Sequence, residues 1–148
     1  MKKSRSKKYG FWHYHSLSIV AIALLVTWIV AYSKSNPETH AGSFFGNAIA
    51  DWSGSVVIIL GTKFFIEIGS KESQPMKKRP LNPVLCFLWE HSLLIFLGVT
   101  GLIWLWLYLR MDPTSKWGQV VGNIVSEWLQ MMGLVFLTKK LIERGSKE

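Results

Sequence analysis

Apolar residues run along this chain in four long blocks rather than in the short alternating runs of a soluble fold. Crossing a bilayer takes about 20 consecutive apolar residues of helix. Residues 15–32, 43–68, 84–109 and 118–142 meet that length. The pattern predicts an all-α membrane protein with four transmembrane helices. The first block follows a basic start and has the outline of a signal peptide, but no small-x-small cleavage site comes after it. It also has an internal counterpart at residues 91–108, which no signal peptide would have. It is therefore expected to be a retained helix.

That counterpart belongs to a longer match. Displaced by 76 positions, residues 15–72 align with 91–148 without a gap, with 19 identities in 58 positions. Among the identical residues only Leu17, Ile19 and Ile66 are aliphatic. Shared greasiness would have given matches mainly in Leu, Ile and Val, so the match reads as a duplication. Each unit holds two spans and so enters and leaves on one side. The expected architecture is two parallel tandem repeats of a helical hairpin, related by a pseudo-two-fold axis along the membrane normal. Residues 1–14 form a basic tail and 15–72 the first hairpin. Residues 73–90 form a basic, Pro-containing linker with the start of the third helix, and 91–148 the second hairpin.

Charge orients the bundle. The 148 residues are 49% hydrophobic and yet carry a formal net charge of +8. Fourteen of the 17 Lys and Arg lie in the N-terminal tail, the middle connection and the C-terminal end; only Lys34, Arg110 and Lys116 lie on the other side. By the positive-inside rule both termini and the linker face the cytoplasm. Because the basic residues sit outside the apolar runs instead of alternating with aromatics on a wet surface, nucleic acid is not an expected partner. The lipid bilayer is, with anionic lipid at the cytoplasmic face. Trp28, Tyr32, Trp104, Trp106, Tyr108 and Trp117 then fall near the outer headgroups as an aromatic belt. Cys86 is alone in an apolar run and reads as a small buried hydrophobe.

Two features inside the spans stand out. Gly42, Gly46, Ala50 and Gly54 recur every four residues in the second span, and Gly118, Gly122 and Ser126 repeat the start of that stripe in the fourth. Small residues let helix backbones approach closely in lipid, so both stripes are expected to pack helices, with a gating hinge as the functional alternative. Asn47 and Asp51, four apart, share a face of the second span, and Asn123 and Glu127 are their counterparts. A charge at mid-bilayer costs about 2.5–3.5 kcal/mol on insertion scales and must be sheltered. Three readings stay open: a cation- or proton-handling pair, a structural clasp across helices, or Asp51 at the outer interface beside Trp52.

His15 and His91 start the first and third spans, where symmetry could bring them together as a weak metal or proton site; capping at the interface is the plainer reading. Lys63/Glu67 and Lys139/Glu143 are four apart and read as snorkelling lysines with partners on the helix surface. No phosphate loop, metalloprotease helix or nucleophile elbow is present, so no enzyme, metal or other cofactor is expected.

The run Ser126-Glu127-Trp128-Leu129-Gln130-Met131, the apolar stretch after it and Gly145-Ser146 resemble the last helix of an uncharacterised family of small bacterial membrane proteins. The run Phe87-Leu88-Trp89-Glu90-His91-Ser92-Leu93 resembles the opening of that family's hairpin. The resemblance implies a bacterial inner-membrane setting and no activity. Two functions are carried forward: a non-enzymatic accessory or assembly subunit, with a protein partner or as a homo-oligomer, and a small proton- or cation-conducting homo-oligomer using Asp51 and Glu127. An intramembrane enzyme ranks third for want of a catalytic set.

Overall fold

The structure is a computed structural model that describes residues 11–70, 82–139 and 141, the side chains of residues 12–14 aside. All its regular elements are helices: α1 Phe11–Lys34, α2 His40–Phe64, α3 Pro83–Glu90, α4 Ser92–Arg110 and α5 Lys116–Leu137. Four of them, α1, α2, α4 and α5, are long and apolar enough to cross a membrane, which is the build of a multi-pass membrane protein. Lipid offers the backbone no hydrogen bonds, so each span satisfies its amides internally. Hydroxyls within the spans are satisfied the same way: Thr27, Ser53, Ser55, Thr62 and Thr100 each donate to the carbonyl four residues earlier.

The helices stand in a row. α2 and α5 pack on each other at the centre, α1 packs on α2, and α4 packs on α5. Composition explains the order, since the two outer helices are the more apolar and the two central ones carry the polar residues of the spans. Leu93, Leu97, Ile124, Trp128, Met131 and Val135 form much of the core, joined by Ile49, Ala50 and Tyr32.

The two short loops are built alike. Asn36 and Asp112 each accept the amide two residues on, from Glu38 at 3.0 Å and Thr114 at 2.8 Å. Thr39 and Ser115 then cap α2 and α5, each hydroxyl oxygen accepting the Gly42 or Gly118 amide at 3.1 Å. Both glycines are required by close approach. A Cβ on Gly42 would lie 1.9 Å from the Asn36 carbonyl oxygen, and one on Gly118 would lie 2.0 Å from that of Asp112. Gly46 meets the Tyr32 ring and Gly122 the Tyr108 ring in the same fashion. These four glycines of the stripes therefore close each hairpin on itself. Only Gly54 faces across to α5, against Glu127 and Met131, while Ala50 is buried in the core and Ser126 is exposed.

The spans differ from expectation at the end of the bundle where the first hairpin meets the second, here called the linker end. α2 stops at Phe64, not at residue 68, and the span expected over 84–109 is divided at His91 into α3 and α4. One cause accounts for both. After Phe64 the chain runs extended and its backbone inserts between α3 and α4. Leu93 N–H donates to the Ile66 carbonyl at 3.0 Å, and Ile68 N–H donates to the Glu90 carbonyl at 2.9 Å. In a continuous helix Leu93 would bond Trp89 and Leu94 would bond Glu90; here those bonds are replaced. Insertion into the i→i−4 ladder is a recognised cause of a helix break.

Two predictions follow from the loops. Gly118→Ala should destabilise the protein by about 1–3 kcal/mol, because its Cβ meets backbone that cannot yield cheaply. Gly98→Ala, with nothing within 4 Å of its Cβ, should be neutral in the same thermal unfolding series in detergent. Equal losses at both sites would refute the close-approach account. The second concerns Asp112, whose carboxyl is held below its ordinary value first by the Thr114 hydroxyl and then by the Thr114 amide. A lowered carboxyl contributes stability above its unfolded value and loses it as pH falls through the folded one. Thr114→Val should move the Asp112 midpoint upward in an NMR titration; an unchanged midpoint would mean that the hydroxyl bond is not formed.

Candidate functional site

Two polar clusters lie in or beside the spans. The first sits where α2 crosses α5. Asn123 donates its side-chain N–H to the Asn47 side-chain oxygen at 2.5 Å, and one turn further on the Asp51 and Glu127 carboxyl groups lie near each other. Gly54 makes room for the contact, its Cβ position lying 3.4 Å from Glu127 Oε2. Asp51 lies eleven residues into α2 and Glu127 eleven into α5, each about 16 Å from the loop end of its helix. Both therefore lie near the middle of their helices.

The cluster is sheltered on one side only. Glu127 and Asn123 are half-buried, whereas Asn47 and Asp51 are exposed on the surface of the chain. Ser43 and Ser55 continue that exposed line along α2 at four-residue spacing, and Gln119, Ser126 and Gln130 are exposed on α5. The centre of the row thus presents a polar strip at a depth where lipid tails would otherwise touch it.

The second cluster, at the linker end, is centred on Glu67. Its side chain is 0% exposed although it belongs to no helix. One carboxylate oxygen accepts from His91 Nδ1 at 2.6 Å and from the Lys139 ammonium; the other accepts the Leu94 amide at 3.3 Å. That amide opens α4, so the carboxylate also lies at the positive end of a helix dipole. Ser92 reinforces the junction, its Oγ accepting from Ile66 N–H at 2.8 Å and donating to the Trp89 carbonyl at 2.9 Å. Ser70 and Thr138 hydroxyls bond at 2.9 Å alongside, and Gly69 makes the intervening turn with φ +88°.

This overturns the expected pairing of Lys63 with Glu67. Four-residue spacing places partners on one face only while the helix lasts, and α2 ends between them. Lys63 turns instead to Ser18 Oγ at 3.0 Å and His15 Nδ1 at 3.4 Å. Each histidine is thus engaged by its own lysine, with Lys Nζ 3.4 Å from His Nδ1 in both cases. Among the described residues no group of three or more His, Cys, Asp or Glu is placed to hold a metal. Glu143 lies outside the described residues, as do most of the basic tail and linker. Glu67 itself was legible in the sequence only as half of that spacing; the signal that α2 stops is tertiary.

Other expectations need adjustment. Tyr32 is a core residue, 1% exposed, and not a headgroup anchor. Its hydroxyl donates to the Lys116 carbonyl at 2.6 Å, while the Lys116 ammonium binds the Ser33 and Ser35 carbonyls at the end of α1. A cation is favoured there by the helix dipole. Cys86 is half-buried and its thiol donates to Glu90 at 3.4 Å. An apolar cavity of about 330 Å³ lies between α4 and α5 beside Gly98, Gly101 and Trp128.

The Glu67 cluster predicts an asymmetric response to substitution. Removing one partner from a buried ion pair leaves a desolvated charge and costs about 3–5 kcal/mol. Glu67→Gln should lower unfolding stability in detergent by that order, whereas Lys63→Gln, on an exposed lysine, should change it little. Glu67→Gln as stable as the parent would show that the cluster does not hold the α3–α4 junction.

No protein-family model, curated protein or solved structure matches this chain.

Proposed function

We propose that this chain is a small, non-enzymatic accessory or assembly subunit of a bacterial inner-membrane complex, docking a partner through the polar strip at the centre of α2 and α5. The observation that carries this reading is the exposure of Asn47 and Asp51 at mid-span, beside Glu127. Exposed carboxyl and amide groups are costly against lipid tails, by a few kcal/mol for a charge, and a covering protein surface removes that cost. The strip is also continuous along the spans, as a docking face has to be.

The remaining parts of the reading have their own support. The fourteen-to-three bias of Lys and Arg supports a cytoplasmic linker and termini. Parallel tandem repeats are supported by the 19 identities and by loop bonds that recur at the same displacement. The resemblance carried by residues 126–131 and 87–93 supports the bacterial setting. A second reading, a proton- or cation-conducting homo-oligomer, is favoured by one observation: two carboxyl groups, Asp51 and Glu127, lie near each other where α2 crosses α5.

Photo-crosslinking in native membranes separates the two. A photoreactive residue at Ser126 should capture a different protein, and one at Leu102, on the lipid-facing side of α4, should not. Asp51→Asn together with Glu127→Gln should weaken that capture. If Ser126 captures only further copies of the chain, and the purified protein passes protons in liposomes until Glu127→Gln is introduced, conduction is the function and the accessory reading is wrong.

A further inference from the structure

At the linker end the two hairpins carry the same three side chains at the same displacement: Phe11, His15 and Lys63 in one, Phe87, His91 and Lys139 in the other. Their geometry also agrees. The Phe and His ring centroids lie 4.5 Å apart in the first set and 4.7 Å in the second. Lys Nζ lies 3.4 Å from His Nδ1 in both.

The sets differ in what they hold. In the second, the Glu67 carboxylate fills the angle between lysine and histidine and takes the Leu94 amide as a third donor. In the first, no carboxylate among the described residues reaches Lys63 or His15. The position equivalent to Leu94 is Ser18, whose buried hydroxyl lies 3.0 Å from Lys63 Nζ. α1 runs unbroken past this point, so its amides are used within the helix, and a hydroxyl stands where the second set has a free N–H. The first set is therefore a cation, an imidazole and a hydroxyl arranged as in a neighbouring set that does bind an oxyanion.

We propose that His15, Ser18 and Lys63 bind the phosphate oxyanion of an anionic phospholipid. The chemistry fits, since each of the three groups can donate to a phosphate oxygen and the lysine supplies the charge. So does the depth: His15 begins the candidate span of α1 and Lys63 closes α2, which puts the set at the headgroup layer. Lys63 is exposed, open to a ligand from the bilayer, whereas Lys139 is 17% exposed and engaged by Glu67. The two hairpins thus answer one donor arrangement in two ways, with an internal carboxylate in one and a lipid in the other. This inference is independent of the docking strip.

Native mass spectrometry of the purified full chain tests it, with phosphatidylglycerol, phosphatidylcholine and inorganic phosphate added separately at matched ionic strength. Phosphatidylglycerol should be retained in preference to phosphatidylcholine. Lys63→Gln should weaken that retention by about fivefold, the effect of one lysine at an anionic surface. Ser18→Leu, which copies the second set, should weaken it as well, and Lys63→Arg should keep it. Lys139→Gln, although less stable, should retain the lipid as the parent does. The proposal fails if Lys63→Gln and the parent retain phosphatidylglycerol equally, or if Lys139→Gln loses as much as Lys63→Gln. It also fails if inorganic phosphate binds at the site while the lipid is not preferred.

Discussion

The Glu67 carboxylate is the point at which the two hairpins are tied together at the linker end. A helix that begins near a membrane surface leaves its first amides without partners, and α4 begins without a side-chain cap of its own. Glu67 fills that need from 27 residues away, accepting the Leu94 amide while it neutralises Lys139 and orients His91. Burying a carboxylate this fully is costly, and the cost is offset because the acid has a cation, an imidazole and a helix N-terminus around it. The same contact holds α5, through Lys139, to the junction between α3 and α4. The row of helices depends on it at the linker end, as it depends on the glycine-packed loops at the other.

With both ends held, the centre of the row is where polarity can be accommodated. α2 and α5 meet there through the Asn47–Asn123 hydrogen bond, with Asp51 and Glu127 near each other one turn further on. Interhelical hydrogen bonds of this kind add to packing in lipid, although each is worth only about 0.6–2 kcal/mol. They do not shelter Asn47 and Asp51 on the outward side, and the proposed docking role is the consequence of that one-sidedness. Among the described residues the outer helices carry no comparable strip, and their exposed Leu, Val and Ile suit lipid contact.

The hairpins, read as a proposed duplication, have diverged where one cluster of charges must differ from the other. Lys63 and Lys139 keep the same distance to their histidines, but among the described residues a buried acid reaches only Lys139. The difference traces to the helix beside each: α1 continues through His15, whereas His91 interrupts α3 and α4 and frees an amide for Glu67. Lys116 shows the same kind of divergence at the loop end. It caps α1 of the other hairpin, from a position that His40 occupies in the first.

The sequence by itself determined the four membrane-length helices and the pairing of polar residues on one face of α2. These depend on local quantities: apolar length against bilayer thickness and the 3.6-residue period. Tertiary structure decided where α2 stops, that α4 starts at Ser92, and that Glu67 is buried across the bundle instead of lying beside Lys63. The reason is that these outcomes turn on backbone hydrogen bonds between residues 66–68 and 90–93, some 24 positions apart. A helix continuing through Glu67 and one continuing through His91 are each locally acceptable, and only their competition for the same amides and carbonyls selects neither. Tyr32 shows the same limit, since an aromatic residue near a helix end reads as a lipid anchor until Lys116, Trp117 and Gly46 close around it.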